Sequence, residues 1–162
     1  MPSKVLILLR HGKSAYPDGV ADHERPLAPR GQREAGLAGD WIRLTQPPVD
    51  AVLCSTATRT RLTLAASGID APARYADTLY GASAAEVLRE IASTDAAVRT
   101  LLVVGHEPGI PDTALALDPG GPLAERIADR FPTSAMATLA VTGSWADLLV
   151  SRARLTDFHI PR

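Results

Sequence analysis

Two phosphate chemistries compete for the stretch VLILLRHGKSAY, Val5 to Tyr16. Gly12-Lys13-Ser14 has the ending of a nucleotide-binding P-loop, whereas Arg10-His11-Gly12 sets a nucleophilic imidazole beside a guanidinium. The P-loop reading fails on spacing: the position that needs the loop's first glycine is Ile7, inside an aliphatic run. The imidazole reading has support elsewhere in the chain. Arg59 lies shortly beyond Ser55, and His106 follows Gly105. Phosphoryl transfer is mostly positioning plus stabilisation of charge on the equatorial oxygens. Arginine suits that task because its planar fork holds two oxygens at once and keeps its proton. A neutral imidazole, with an ordinary pKa of about 6.5, is a competent nucleophile near pH 7. Gly12 would let a phosphate approach the backbone closely.

Other chemistries fit less well. Cys54 precedes Arg59 by four intervening residues, one fewer than in cysteine-dependent phosphatases, and an apolar-flanked cysteine is more often inert. The four histidines, His11, His23, His106 and His159, include no close pair on one helix face. Pro108 prevents a helix from running through GHEPG, so a zinc-binding H-E-x-x-H helix is excluded there. Neither a metal nor another cofactor is expected.

The elements that must carry these residues read as alternating strands and helices. Val5–Leu9 is a continuous aliphatic run, as in a parallel strand buried on both faces. A polar loop from Ala15 to about Ala28 follows. A helix then begins at Pro29, with an apolar stripe of Leu37, Ala38, Trp41, Ile42 and Leu44, and stops at Pro47-Pro48. Val49–Ser55 is a second strand. Ala57–Ser67 is a helix closed by Gly68, with Leu62, Ala65 and Ala66 on one side. Arg74–Leu79 is a weaker strand. Ser83 opens a helix through about Ala92, with Val87, Leu88 and Ile91 facing inward, and Leu101–Val104 is a buried strand ending at Gly105-His106. LDPGGPL, Leu117–Leu123, is a turn or short linker. Met136–Val141 and Ala146–Ala153 flank Thr142–Trp145 as a terminal β-hairpin.

This order predicts a single α/β domain over residues 1–162, three layers deep, with helices on both faces of a mostly parallel sheet. In such sheets ligands gather beyond the carboxyl ends of the strands. Arg10-His11, Ser55 with Arg59, and His106 would meet at that edge.

Composition bounds the rest. With 46% apolar and 22% charged residues the chain is an ordinary globular one, and its net charge of −1 offers no electrostatic case for nucleic acid or an anionic membrane. All but two of the 17 basic residues are arginine, so arginine content singles out no position. A single cysteine excludes an internal disulfide and fits a reducing compartment. Arg10 interrupts the first apolar run too early for a secretion signal, and no stretch approaches the roughly 18 apolar residues of a membrane span. A cytoplasmic protein is expected; its oligomeric state is left open, with a monomer compatible.

Three segments together, LLRHGKS, CSTATRTRLT and VVGHEPGI, resemble the histidine phosphatase, or phosphoglycerate mutase-like, superfamily. ERPLAPRGQREA and PTSAMATL are similar to its short SixA-type phosphohistidine phosphatase branch. The resemblance covers essentially the whole chain. It implies a phosphoglycerate mutase-like fold in which His11 attacks phosphorus and becomes phosphohistidine. Arg10, Arg59 and His106 would hold the phosphoryl oxygens, with Gly12 and Arg25 as further substrate contacts. Arg25 has an equally good reading as a solvated loop arginine.

Many members also use a mid-chain carboxylate to protonate the leaving group. Glu86 is the candidate here, with Asp77 and Glu107 behind it. However, Ser83–Glu86 is also a capping box, which would occupy Glu86 structurally. Without that acid, expelling an alkoxide is hard, whereas imidazole is a far better leaving group. The expected substrate is therefore phosphohistidine, on a protein or a small molecule. The alternatives are a phosphomonoesterase for a small phosphorylated metabolite and a non-catalytic phosphate-binding regulatory module. A mutase is disfavoured by the lack of enclosing insertions.

Overall fold

The computed structural model describes residues 3–162. Six strands form one sheet: β1 (Lys4–Arg10), β2 (Ala51–Ser55), β3 (Ala73–Ala76), β4 (Thr100–Gly105), β5 (Met136–Val141) and β6 (Arg154–His159), in the spatial order β3-β2-β4-β1-β5-β6. β1, β2, β3 and β4 run parallel, while β5 pairs antiparallel with β1 and with β6. Among the described residues five α-helices cover the sheet: α1 (Pro29–Thr45), α2 (Thr58–Ser67), α3 (Ala84–Ala92), α4 (Gly109–Leu117) and α5 (Pro122–Asp129).

Connection handedness explains the layers. The steps β1→β2 and β2→β3 move the same way across the sheet, so right-handed crossovers put α1 and α2 on one face. The step β3→β4 returns, which sends α3 to the opposite face. The strands feed both layers with alternate residues. Ile7, Leu9, Cys54 and Val104 pack with Ala38, Ile42 and Leu64 of α1 and α2. Leu6, Leu8, Leu53 and Val103 pack with Val87, Ile91, Ile110 and Ile127 of the other three helices. The three-layer α/β/α fold read from the sequence is the one observed.

Several local expectations change. Leu44 is 85% exposed, because α1 presents Gly31, Ala35, Ala38, Gly39 and Ile42 to the protein. On α2 the buried side is Thr60, Thr63, Leu64 and Ser67 rather than the Leu62, Ala65 and Ala66 side. Its hydroxyls are self-satisfied: Thr60 donates to the Ser55 and Ala57 carbonyls, Thr63 to that of Arg59, and Ser67 to that of Leu64. Burying them is therefore inexpensive. The small side chains also permit close helix contact, since a Cβ on Gly39 would lie 1.9 Å from the Ser67 carbonyl oxygen.

Helices α4 and α5 are further elements, and the turn expected over Leu117–Leu123 narrows to residues 118–121 between them. The second arm of the expected terminal hairpin is also displaced. Ala146–Leu149 is a 3-10 turn whose Trp145 and Leu148 close the core, and Trp145 Nε1 donates to the Val98 carbonyl at 2.9 Å. The strand that pairs with β5 comes later, at Arg154–His159. Among the described residues no helix is long and apolar enough to cross a membrane.

Candidate active site

At the carboxyl end of the sheet lies a cavity of about 250 Å³, lined by Arg10, His11, Lys13, Ser14, Tyr16, Arg25, Arg59, His106, Glu107 and Thr133. Three parallel strands bring these groups together: β1 ends at Arg10, β2 ends at Ser55 just ahead of α2, and β4 ends at Gly105 just ahead of His106.

The tip of β1 is held on both sides. The Arg10 N–H donates to the Ala135 carbonyl and the His11 N–H to that of Gly105, while the Ser134 N–H donates to the His11 carbonyl. Ser134 does so from a left-handed backbone with φ of 64°, uncommon for a residue with a side chain. Below the tip, the Gly12 N–H donates to Thr63 Oγ1 at 2.9 Å. A Cβ on Gly12 would lie 2.8 Å from the Gly31 carbonyl oxygen, and one on Gly31 would lie 2.1 Å from that of Lys13. Glycine at position 12 thus serves contact between the His11 loop and the first turn of α1. It does not line the cavity, which departs from the role expected of it as a phosphate contact.

His11 is 7% exposed, and its Nδ1 lies 2.7 Å from the Gly12 carbonyl oxygen. A carbonyl can only accept, so Nδ1 carries the proton and the lone pair sits on Nε2. Burial pushes the His11 pKa down to about 3, assisted by His106, Arg10 and Arg59 and opposed by the Gly12 bond. His106 sits with its ring centroid 5.4 Å from that of His11, and its Nε2 pairs with Ser55 Oγ at 2.8 Å. Burial, then the nearby Arg59, lowers its pKa to about 4. Both rings are therefore neutral near pH 7. His106 Nδ1 is buried without a protein partner.

Every arginine of the cavity is anchored. Arg10 Nη1 donates to the Phe131 carbonyl at 2.8 Å and lies 3.0 Å from Glu107 Oε2. Arg59 Nη1 donates to the Asp22 carbonyl at 2.7 Å, and its Nη2 reaches Asp22 Oδ2 at 3.2 Å. Arg25 donates through Nε to Asp22 Oδ1 at 3.0 Å and through Nη1 to Ser14 Oγ at 2.8 Å, with its guanidinium 4.1 Å over the Tyr16 ring. Its side chain is only 13% exposed, so it is not a solvated loop arginine. Each fork keeps further N–H groups for an anion. Four cations and one carboxylate among ten lining residues make a site suited to a phosphoryl group.

The profile of the histidine phosphatase superfamily (branch 1) matches residues 6–80. An uncharacterized protein of Mycobacterium tuberculosis (strain H37Rv) is 59% identical over 158 residues, covering 95% of this chain and all of that one. A structure from Nakamurella multipartitia, assigned as the phosphohistidine phosphatase SixA, is 42% identical with a TM-score of 0.93, covering 99% of this chain and 98% of that one. A second structure with the same assignment, from Agrobacterium tumefaciens, is 32% identical with a TM-score of 0.82 and covers 98% and 99%. This chain belongs to the histidine phosphatase superfamily. Within it, the chain is of the SixA type, with the phosphoglycerate mutase-like fold.

In this histidine phosphatase the structure brings together His11, Arg10, Arg59, His106 and Arg25. It leaves Glu86 outside the cavity. Both halves of the capping box are present: Ser83 Oγ accepts from the Glu86 N–H, and Glu86 Oε1 accepts from the Ser83 N–H at 3.0 Å. That pairing holds the Glu86 pKa below the usual carboxylate range. Asp77 is engaged by Thr56 Oγ1 at 2.6 Å. Cys54 is buried, with its thiol pushed up to about 12, as suits an inert core residue. Among the described residues no cluster of three or more His, Cys, Asp or Glu could hold a metal.

The sequence reading missed Asp22 and Tyr80. Asp22 holds both Arg25 and Arg59 and accepts a hydrogen bond from the Tyr80 hydroxyl. The Tyr80 bond, then the two arginines, lowers the Asp22 pKa to about 2. The only signal available was that Asp22 stands three residues before Arg25.

Proposed function

We propose that this chain is a metal-independent phosphatase that hydrolyses phosphohistidine through a phosphoenzyme on His11. The observation that carries this reading is the fixed tautomer of His11. With Nδ1–H bonded to Gly12, the Nε2 lone pair is free for phosphorus, and burial keeps the ring unprotonated at neutral pH. In the first step Nε2 bonds to phosphorus while the substrate's P–N bond breaks and its electron pair stays with the departing ring. Arg10, Arg59, Arg25 and His106 hold the phosphoryl oxygens.

The same Nδ1–H prepares the second step. Phospho-His11 keeps that proton, so when water attacks phosphorus the ring leaves as neutral imidazole. No acid is needed for it. The leaving group of the first step also favours phosphohistidine, because Glu86 is committed to its helix cap and imidazole needs far less help from an acid than an alkoxide does. The SixA assignment of the two relatives above 30% identity supports the same substrate class.

The test is a phosphohistidine peptide labelled in its phosphoryl group. Quenched protein should carry a base-stable, acid-labile label, absent from His11→Ala. Normal turnover by His11→Ala would end the proposal, and alkyl phosphate hydrolysis as fast as that of phosphohistidine would move the substrate to an ester.

A further inference from the structure

Of the ten residues lining the cavity, Glu107 alone carries a carboxylate. It follows His106 at the end of β4, with Oε2 3.0 Å from Arg10 Nη1. Its side chain is 44% exposed against 24% for Arg10, so the carboxylate reaches solvent while attached to the phosphate clamp. The other lining groups are poor proton acceptors. Arg10, Lys13, Arg25 and Arg59 are cations without a lone pair to offer. Ser14 Oγ is taken by Arg25, and His11 is the nucleophile itself. His106 has its Nε2 committed to Ser55 and its Nδ1 buried, and becoming a cation there is opposed by burial and by Arg59. Tyr16 and Thr133 offer only hydroxyl oxygens, far weaker bases than a carboxylate.

We propose that Glu107 is the general base of the second half-reaction, taking the proton of the water that hydrolyses phospho-His11. The inference rests on the covalent mechanism above. The water oxygen bonds to phosphorus as the P–Nε2 bond breaks, and the pair of that bond returns to Nε2. One water proton passes to the Glu107 carboxylate, which releases it to solvent from its exposed side. Arg10 holds the carboxylate next to the phosphoryl oxygens it binds. An aryl phosphate needs little help to leave, so the first half-reaction should not depend on Glu107.

Rapid-quench kinetics with 4-nitrophenyl phosphate separate the two halves. Glu107→Gln should release one equivalent of nitrophenol at close to the parent rate, then turn over about 100-fold more slowly, the lower range for loss of a general base. Phosphoenzyme on His11 should accumulate, and Glu107→Asp should recover part of the steady-state rate. The size of the burst counts competent sites, so a folding defect is visible as lost amplitude, and Glu107→Asp then carries the comparison. A burst slowed as much as the steady state would show that Glu107 acts by positioning Arg10, and overturn the base role. Unchanged turnover would overturn it as well. If the parent protein forms no phosphoenzyme, the covalent mechanism fails and the base role falls with it, an outcome read from the parent alone.

Discussion

Asp22 and Arg59 meet twice. Two guanidinium nitrogens reach two oxygens of one residue, the backbone carbonyl at 2.7 Å and the carboxylate at 3.2 Å. The other carboxylate oxygen holds Arg25 at 3.0 Å. One loop residue therefore orients two of the three arginines of the cavity. Asp22→Ala should raise KM and the inhibition constant for inorganic phosphate several-fold, with a smaller effect on kcat, because the forks lose their aim while His11 keeps its bonds. Phosphate inhibition measured at constant ionic strength checks this, and unchanged affinity would refute it.

Arg59→Lys should lower kcat/KM by roughly tenfold or more, since lysine keeps the charge but not the two-pronged geometry. Arg61 is the control two residues along α2. Its guanidinium lies 5.0 Å over the ring of Tyr75, away from the cavity, and Arg61→Ala should be nearly silent. Full activity in Arg59→Lys would remove the clamp role.

Glu86→Gln should leave both turnover and stability close to those of the parent. Glutamine can still accept from the Ser83 N–H and complete the capping box. A loss that grows with leaving-group pKa, from aryl to alkyl phosphates, would identify Glu86 as a general acid instead.

Both site histidines have folded-state pKa values below the ordinary 6.5, at about 3 for His11 and about 4 for His106. Between those values and 6.5 the unfolded chain binds protons that the folded one does not, so stability must fall as pH falls through that window. Each histidine contributes at most about 1.4 kcal/mol per pH unit. Urea unfolding at pH 7 and pH 5 should show the loss, smaller in His11→Asn. The ring resonances of His11 should stay unshifted in NMR over the same range; titration near 6.5 would contradict the buried neutral tautomer.

Two glycines of α1 should respond oppositely to alanine. At Gly39 the new Cβ would meet the Ser67 carbonyl oxygen at 1.9 Å, forcing α1 from α2, and a loss of about 1–3 kcal/mol or more is expected. At Gly36 the nearest atom is the Ala66 carbonyl oxygen at 3.6 Å, an ordinary contact, so Gly36→Ala should stabilise by up to about 1 kcal/mol through helix propensity. Chemical denaturation distinguishes the two signs.

The strand ends that lead into His11, Arg59 and His106 were legible in the chain itself. A parallel strand buried on both faces must be aliphatic throughout, so Arg10-His11 and His106 mark where β1 and β4 stop, and Ser55 marks the end of β2 ahead of Arg59. Right-handed crossovers then send those stops to one edge. α2 was misread in its buried side because hydroxyls that bond their own helix carbonyls look polar in sequence yet are cheap to bury. α4 and α5 are short and lie among Pro108, Pro111, Pro119, Gly120-Gly121 and Pro122, residues that punctuate a helical pattern.

The sequence by itself determined the layered fold and the strand-end placing of His11 with its cationic company, since each depends on local pattern and chain direction. Only the tertiary structure decided that Asp22 joins Arg25 to Arg59 and accepts from Tyr80, 58 residues away. It also decided that Glu107 faces the cavity and Glu86 does not, and that His11 presents Nε2. These depend on the path of the loop before α1 and on which carbonyl a buried ring meets. Such relationships arise from packing across distant segments, and no spacing along the chain encodes them.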